Sequence, residues 1–196
     1  MKHERRVPVE AEFLVIGYGN TLRCDDGVGP RVAEAVGQLN LPGVRTLACH
    51  QLSPEHADLV SRARKVIFVD AAMDEMDGVK FRLLAPGDTT QLMAHAADPR
   101  TLLALARDVF GRAPEAWWLT IPAAELKFGE GLSPGAVAGF QIAIEKIQAL
   151  CRGLSVGNHV LAITPTTNPS NTAPSRAAVV ALVGFRRRIP VPAGVG

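Results

Sequence analysis

"VIGYGNTLRCDDGVGPRVAEAV", residues 15–36, passes from an apolar run through a glycine-rich loop into a segment of helical periodicity. Strand, loop and helix in that order open an α/β fold. Glycines at such a place let backbone approach a dinucleotide pyrophosphate at a helix N-terminus. Gly17 and Gly19 fit that pattern, but Leu22 stands where its third glycine belongs. Asp25 and Asp26 occupy the position a phosphate would need, and their charge would repel it. The loop suits a cation better than a nucleotide.

Working outward, EFLVIGY (12–18) reads as a buried strand, and Val28, Val32, Val36 and Leu39 share one face of the helix that follows. VRTLACH (44–50) is a second strand. In LSPEHADLVSRA (52–63), Ser53 as N-cap and Pro54 at the first helical position mark a helix start. KVIFVDAA (65–72) is a third strand, apolar enough for the centre of a parallel sheet, and VKFRLLA (79–85) is a fourth. Residues 72–78 between them cannot supply the dozen or so residues of a parallel crossover, so strand four runs antiparallel.

Asp98-Pro99 starts a helix carrying Leu102, Leu103, Leu105, Ala106 and Val109, with Gly111 as its stop. AWWLTIP (116–122) is the fifth strand, and Ser133-Pro134 opens a last helix with Val137, Phe140, Ile144 and Ile147 in register. The pattern predicts a three-layer α-β-α domain over residues 1–153, with a five-stranded, mostly parallel mixed sheet and one antiparallel strand. After Gly153, TPTTNPSNTAPS (164–175) is turn-forming. Residues 154–196 read as a loosely ordered appendage, dispensable for folding of the domain.

Composition bounds the function. A chain of 196 residues with 47% hydrophobic content is long enough for one domain with a true core. A net charge of +2 provides no broad basic field for nucleic acid. Cys24, Cys49 and Cys151 form no C-x-x-C pair, so neither a disulfide framework nor a thiolate zinc site is indicated, and a reducing cytoplasm is the default. MKHERRVPVEAEF lacks the apolar core of a secretory signal. AAVVALVGF (177–185) falls far short of the roughly 20 residues that span a membrane.

GLSPG (131–135) matches the G-x-S-x-G pattern of a serine-hydrolase elbow, but the residue after the serine is Pro134, which has no N–H for an oxyanion hole. Ser133 is therefore read as a helix cap. Three other positions converge. Asp26 follows strand one, Asp70 ends strand three, and His95 lies in the loop before the third helix. Loops beyond the carboxyl ends of parallel strands meet at the switch point where ligands bind. Two carboxylates and an imidazole suit a first-row divalent metal, nickel included. Each also has a plainer role: Asp25 or Asp26 as a helix cap, Asp70 as a turn cap, His95 as a hydrogen-bonded loop histidine. His50, His56 and Cys24 read as structural, with Cys24 a small buried hydrophobe.

VIGYGNTLRCDDGVGPRVAEAV, HQLSPEHADLV, VIFVDAA, the isolated His95 and FGEGLSP occur in an order and spacing that resemble the hydrogenase maturation proteases of the HybD/HycI type, peptidase family M52. The likeness covers about residues 12–150. It implies a phosphorylase/hydrolase-like α/β fold and a metal-binding triad of Asp26, Asp70 and His95, with Asp26 and Asp70 catalytic. It further implies an endopeptidase that removes the C-terminal extension of a [NiFe] hydrogenase large-subunit precursor after nickel insertion, the nickel arriving with that precursor. The loop glycines would then let backbone approach the precursor. Hydrolysis could use the metal to polarise the scissile carbonyl, or a carboxylate as general base. A non-catalytic nickel-recognising chaperone, or another hydrolase on the same scaffold, would carry the same residues. The family's first-loop acid is often glutamate where this chain has Asp26, and residues after about 153 have no counterpart.

Overall fold

Strand β1 (Ala11–Tyr18) buries every side chain except that of Glu12, and a strand apolar on both faces needs cover on both. The computed structural model, which describes residues 8–73, 77–87 and 98–153, supplies that cover. The elements are β1, α1 (Val28–Gln38), β2 (Val44–Cys49), α2 (His56–Ser61), β3 (Ala63–Ala72), β4 (Lys80–Leu84), α3 (Pro99–Phe110), β5 (Glu115–Pro122) and α4 (Pro134–Cys151), with a 3-10 turn, Cys24–Gly27, leading into α1. The sheet order is β2-β1-β3-β5-β4.

Strands β2, β1, β3 and β5 are parallel, and β4 lies antiparallel to β5 at the edge. The expected three-layer mixed sheet is thus the observed one, and strand four does run antiparallel. On one face, Leu14, Ile16, Tyr18 and Phe68 pack with Val60 of α2 and Leu102, Leu103 and Ala106 of α3. On the other, Val15, Ile67, Val69 and Leu119 pack with Val28, Val32 and Val36 of α1 and Ile147 of α4. Each such fully buried aliphatic or aromatic side chain contributes about 1.5–3 kcal/mol. From β1 the chain crosses to β2 on one side, whereas from β3 it leaves toward β5 on the other. The switch point therefore falls between the carboxyl ends of β1 and β3.

Several local expectations shift. Helix α2 begins at His56, not at Ser53-Pro54, and no side chain caps its N-terminus. Pro54 and Glu55 form a turn in which the His56 N–H donates to the Ser53 carbonyl, 3.0 Å. Leu39, Val109 and Val137 are exposed rather than facing the core. In α4 the buried positions are Ala136, Gly139, Ala143 and Ile147, because small residues let the helix settle onto β5, where a Cβ on Gly139 would press on Ile121. The predicted caps of α3 and α4 are present: Asp98 accepts from the Arg100 N–H at 2.8 Å, and Ser133 accepts from the Ala136 N–H at 3.2 Å. The appendage expected over 154–196 lies outside the described residues.

Candidate functional site

The first loop is built by close approach. A side chain at Gly17 would overlap the Gly29 carbonyl, and one at Gly29 would meet the Tyr18 and Val69 carbonyls, so α1 rests directly on the ends of β1 and β3. Gly19, at φ +138, passes against the backbone of Asp26, a conformation and a proximity that only glycine accommodates. These glycines serve close contacts within the chain. Asn20 then closes the loop, its side chain accepting from the Leu22 N–H at 2.9 Å and its carbonyl from the Arg23 N–H at 2.9 Å. Cys24 follows at φ +46, an uncommon angle for a side-chain-bearing residue, and is buried as expected.

The two adjacent aspartates diverge. Asp25 is fully buried and accepts three backbone N–H bonds, from Ser133 at 2.6 Å, Ala124 at 2.8 Å and Glu125 at 3.0 Å. Burial by itself would raise its pKa, but donation by Ser133, then Ala124 and Glu125, prevails and holds the carboxyl below its ordinary value. Asp25 is the peg that fastens the first loop to the 123–133 segment. Backbone bonds reinforce this union: the Cys24 N–H donates to Gly129 at 2.6 Å and the Gly129 N–H to Leu22 at 2.8 Å. Asp26, one residue on, is only partly buried, and its Oδ2 accepts from the Asn20 N–H at 2.9 Å.

Asp70 lies near the carboxyl end of β3, two residues before its last, across the switch point from Asp26, partly buried, with its Oδ1 accepting from the Ala71 N–H at 2.8 Å. Its pKa is pushed up to about 6, first by burial and also by the negative charge of Asp26, against the lowering influence of Tyr18 and the Ala71 N–H. Two carboxylates that sense each other's charge favour a cation between them. Asp26 and Asp70 are thus brought to one rim. His95, the third expected ligand, lies outside the described residues. Among the described residues no group of three or more His, Cys, Asp or Glu side chains is arranged to hold a metal ion. His50 is exposed at the end of β2, its carbonyl accepting from the Gly19 N–H at 3.1 Å. The ring of His56 accepts at Nδ1 from the Ser53 N–H, 3.1 Å, so it is structural.

Sequence reasoning passed over Tyr18, Trp118 and Thr120. Their alternation in β1 and β5, in the same phase as Asp70 in β3, is the signal that places them on its face of the sheet.

Among the described residues, no helix is long and apolar enough to cross a membrane. No protein-family model matches the chain, and no curated protein does. Solved structures do. The hydrogenase maturating endopeptidase HybD from E. coli is similar over 72% of this chain and 93% of its own, at 21% identity and a TM-score of 0.58. A hydrogenase 2 maturation peptidase from a Thaumarchaeota archaeon is similar over 74% of this chain and 99% of its own, at 25% identity and a TM-score of 0.54. The [NiFe] hydrogenase maturation protease HybD from Thermococcus kodakarensis is similar over 71% and 99%, at 22% identity and a TM-score of 0.54. The fold is the one these endopeptidases share.

Proposed function

We propose that this protein is a hydrogenase maturation endopeptidase that removes the C-terminal extension of a [NiFe] hydrogenase large-subunit precursor, recognising nickel carried by that precursor. The observation that carries the reading is the pair Asp26 and Asp70, two mutually repelling carboxylates at the switch point of a sheet shared with the endopeptidase structures. A nickel ion presented by the precursor would relieve that repulsion, with His95 as the third ligand. Bound there, the metal would supply Lewis acidity toward the scissile carbonyl or a bound water.

The chain's own contributions follow from the geometry. The Asn20 N–H and Ala71 N–H each hold one carboxylate oxygen, which orients Asp26 and Asp70 toward the rim. In the competing mechanism a carboxylate of the pair acts as general base, accepting a proton from the attacking water and returning it to the leaving amine. Free cysteines at positions 24, 49 and 151 agree with action in a reducing cytoplasm.

The deciding experiment incubates the purified protein with nickel-loaded precursor and weighs the products by mass spectrometry. A precursor shortened by its C-terminal extension is the expected result. A precursor that binds but keeps its full mass would replace the endopeptidase with a chaperone.

A further inference from the structure

Tyr18 is the chain's single tyrosine, and neither the loop's closure nor the carboxylate pair accounts for its hydroxyl. The side chain is only 8% exposed and packs on the α2–α3 face. The β1–β3 register pairs Ile16 with Phe68 and Gly17 with Val69, which sets Tyr18 beside Asp70 on the same face of adjacent strands. The β3–β5 register pairs Phe68 with Trp118 and Asp70 with Thr120, which brings Trp118 to the same place from the other side. The Tyr18 hydroxyl and the Trp118 indole N–H are both buried, and neither has a hydrogen-bond partner among the described residues. Native interiors rarely leave two such neighbouring donors unmade. The hydroxyl lies under the influence of both the Asp70 carboxyl and the Trp118 indole without closing a direct bond to either.

We propose that Tyr18 is a positioning residue for Asp70: its O–H donates to the Asp70 carboxylate, while the Trp118 indole N–H donates to the Tyr18 oxygen. The Ala71 N–H already holds one carboxylate oxygen, and the phenol adds a second restraint that fixes the carboxylate plane toward Asp26. The inference deepens the endopeptidase reading and rests on it for the reaction served.

Because there is one tyrosine, ultraviolet resonance Raman of the free protein at pH 8 reads the hydrogen-bond state of this phenol alone. The expected result is a donor signature in the wild type that is lost in Asp70→Ala, which removes the acceptor, and altered on its acceptor side in Trp118→Phe. An identical signature in wild type and Asp70→Ala overturns the proposal. With nickel-loaded precursor, Tyr18→Phe keeps the packed ring, so kcat is expected to fall about tenfold with KM within about twofold. It should cost nothing further in an Asp70→Asn background. An unchanged kcat overturns the positioning role. If the wild type leaves the precursor uncut, the endopeptidase reading falls, and the Raman comparison still decides the link between Tyr18 and Asp70.

Discussion

Replacing Asp70 by Asn should make the free protein more stable, by an amount that grows as the pH rises to about 6 and then levels off. The carboxyl's native pKa is about 6 against an ordinary 3.8, a difference of about 2 units, with burial the leading cause and the Asp26 charge adding to it. Each unit is about 1.4 kcal/mol, so ionising Asp70 in the folded state costs up to about 3 kcal/mol. The sign follows from proton binding: between pH 3.8 and about 6 the native state holds the proton more firmly than the unfolded chain. Stability attributable to this group is therefore full below the lower value, declines through that window, and stays reduced above about 6. Asn cannot ionise and avoids the loss. Urea titrations followed by tryptophan fluorescence, read at about pH 3, 4.5 and 8, should show a gain for Asp70→Asn that rises from near zero at the first, through about a third of its full size at the second, to about 1–3 kcal/mol at the last. A variant no more stable than wild type at pH 8 would refute the claim that burial and Asp26 strain this carboxyl. The same variant should lose precursor processing by orders of magnitude, which separates a stability role from a functional one.

Other substitutions test neighbouring parts. Asp25→Asn should cost at least about 2 kcal/mol, because its amide would confront N–H donors of Ser133, Ala124 and Glu125, whereas Asp26→Asn should change unfolding by under about 1 kcal/mol while impairing processing. Full processing by both Asp26→Asn and Asp70→Asn would sink the metal-recognition reading. Gly19→Ala places a methyl against the Asp26 backbone at φ +138 and should destabilise by about 1–3 kcal/mol in a thermal melt. Burial raises the pKa of Cys49 and pushes that of Cys151 up to about 11, so iodoacetamide at pH 8 should label the folded protein slowly and the urea-unfolded protein fast, as read by intact mass.

Much of the fold was legible because local rules and tertiary demands coincide in it. The apolar runs of β1 and β3 can be satisfied only by cover on two faces, and the short link over 72–78 forbids a parallel crossover, so strand direction followed from length alone. Asp98, Gly111 and Ser133 sit where capping chemistry requires them. Ser53-Pro54 carries an equally good start signal, yet the backbone turns there and the helix waits until His56. Similarly, the periodic Leu39, Val109 and Val137 point outward, since helical spacing defines a stripe but only the packed neighbour decides which edge of the stripe is covered.

For the site, residue types and spacing singled out the first-loop aspartates and Asp70: a cation-favouring acidic loop after the first strand and an acid toward the end of the third, both at carboxyl ends of parallel strands. It could not separate Asp25 from Asp26, since adjacent aspartates are chemically alike until the backbone assigns them directions. Tertiary structure made that division by surrounding Asp25 with three N–H donors contributed by a segment about a hundred residues away and leaving Asp26 at the rim. It also moved the Asp70 pKa, because burial and the approach of a second charge exist only once β1 and β3 are side by side. Residue types and spacing declare which groups are available; desolvation, charge proximity and long-range hydrogen bonds, which arise only on folding, decide what each of them does.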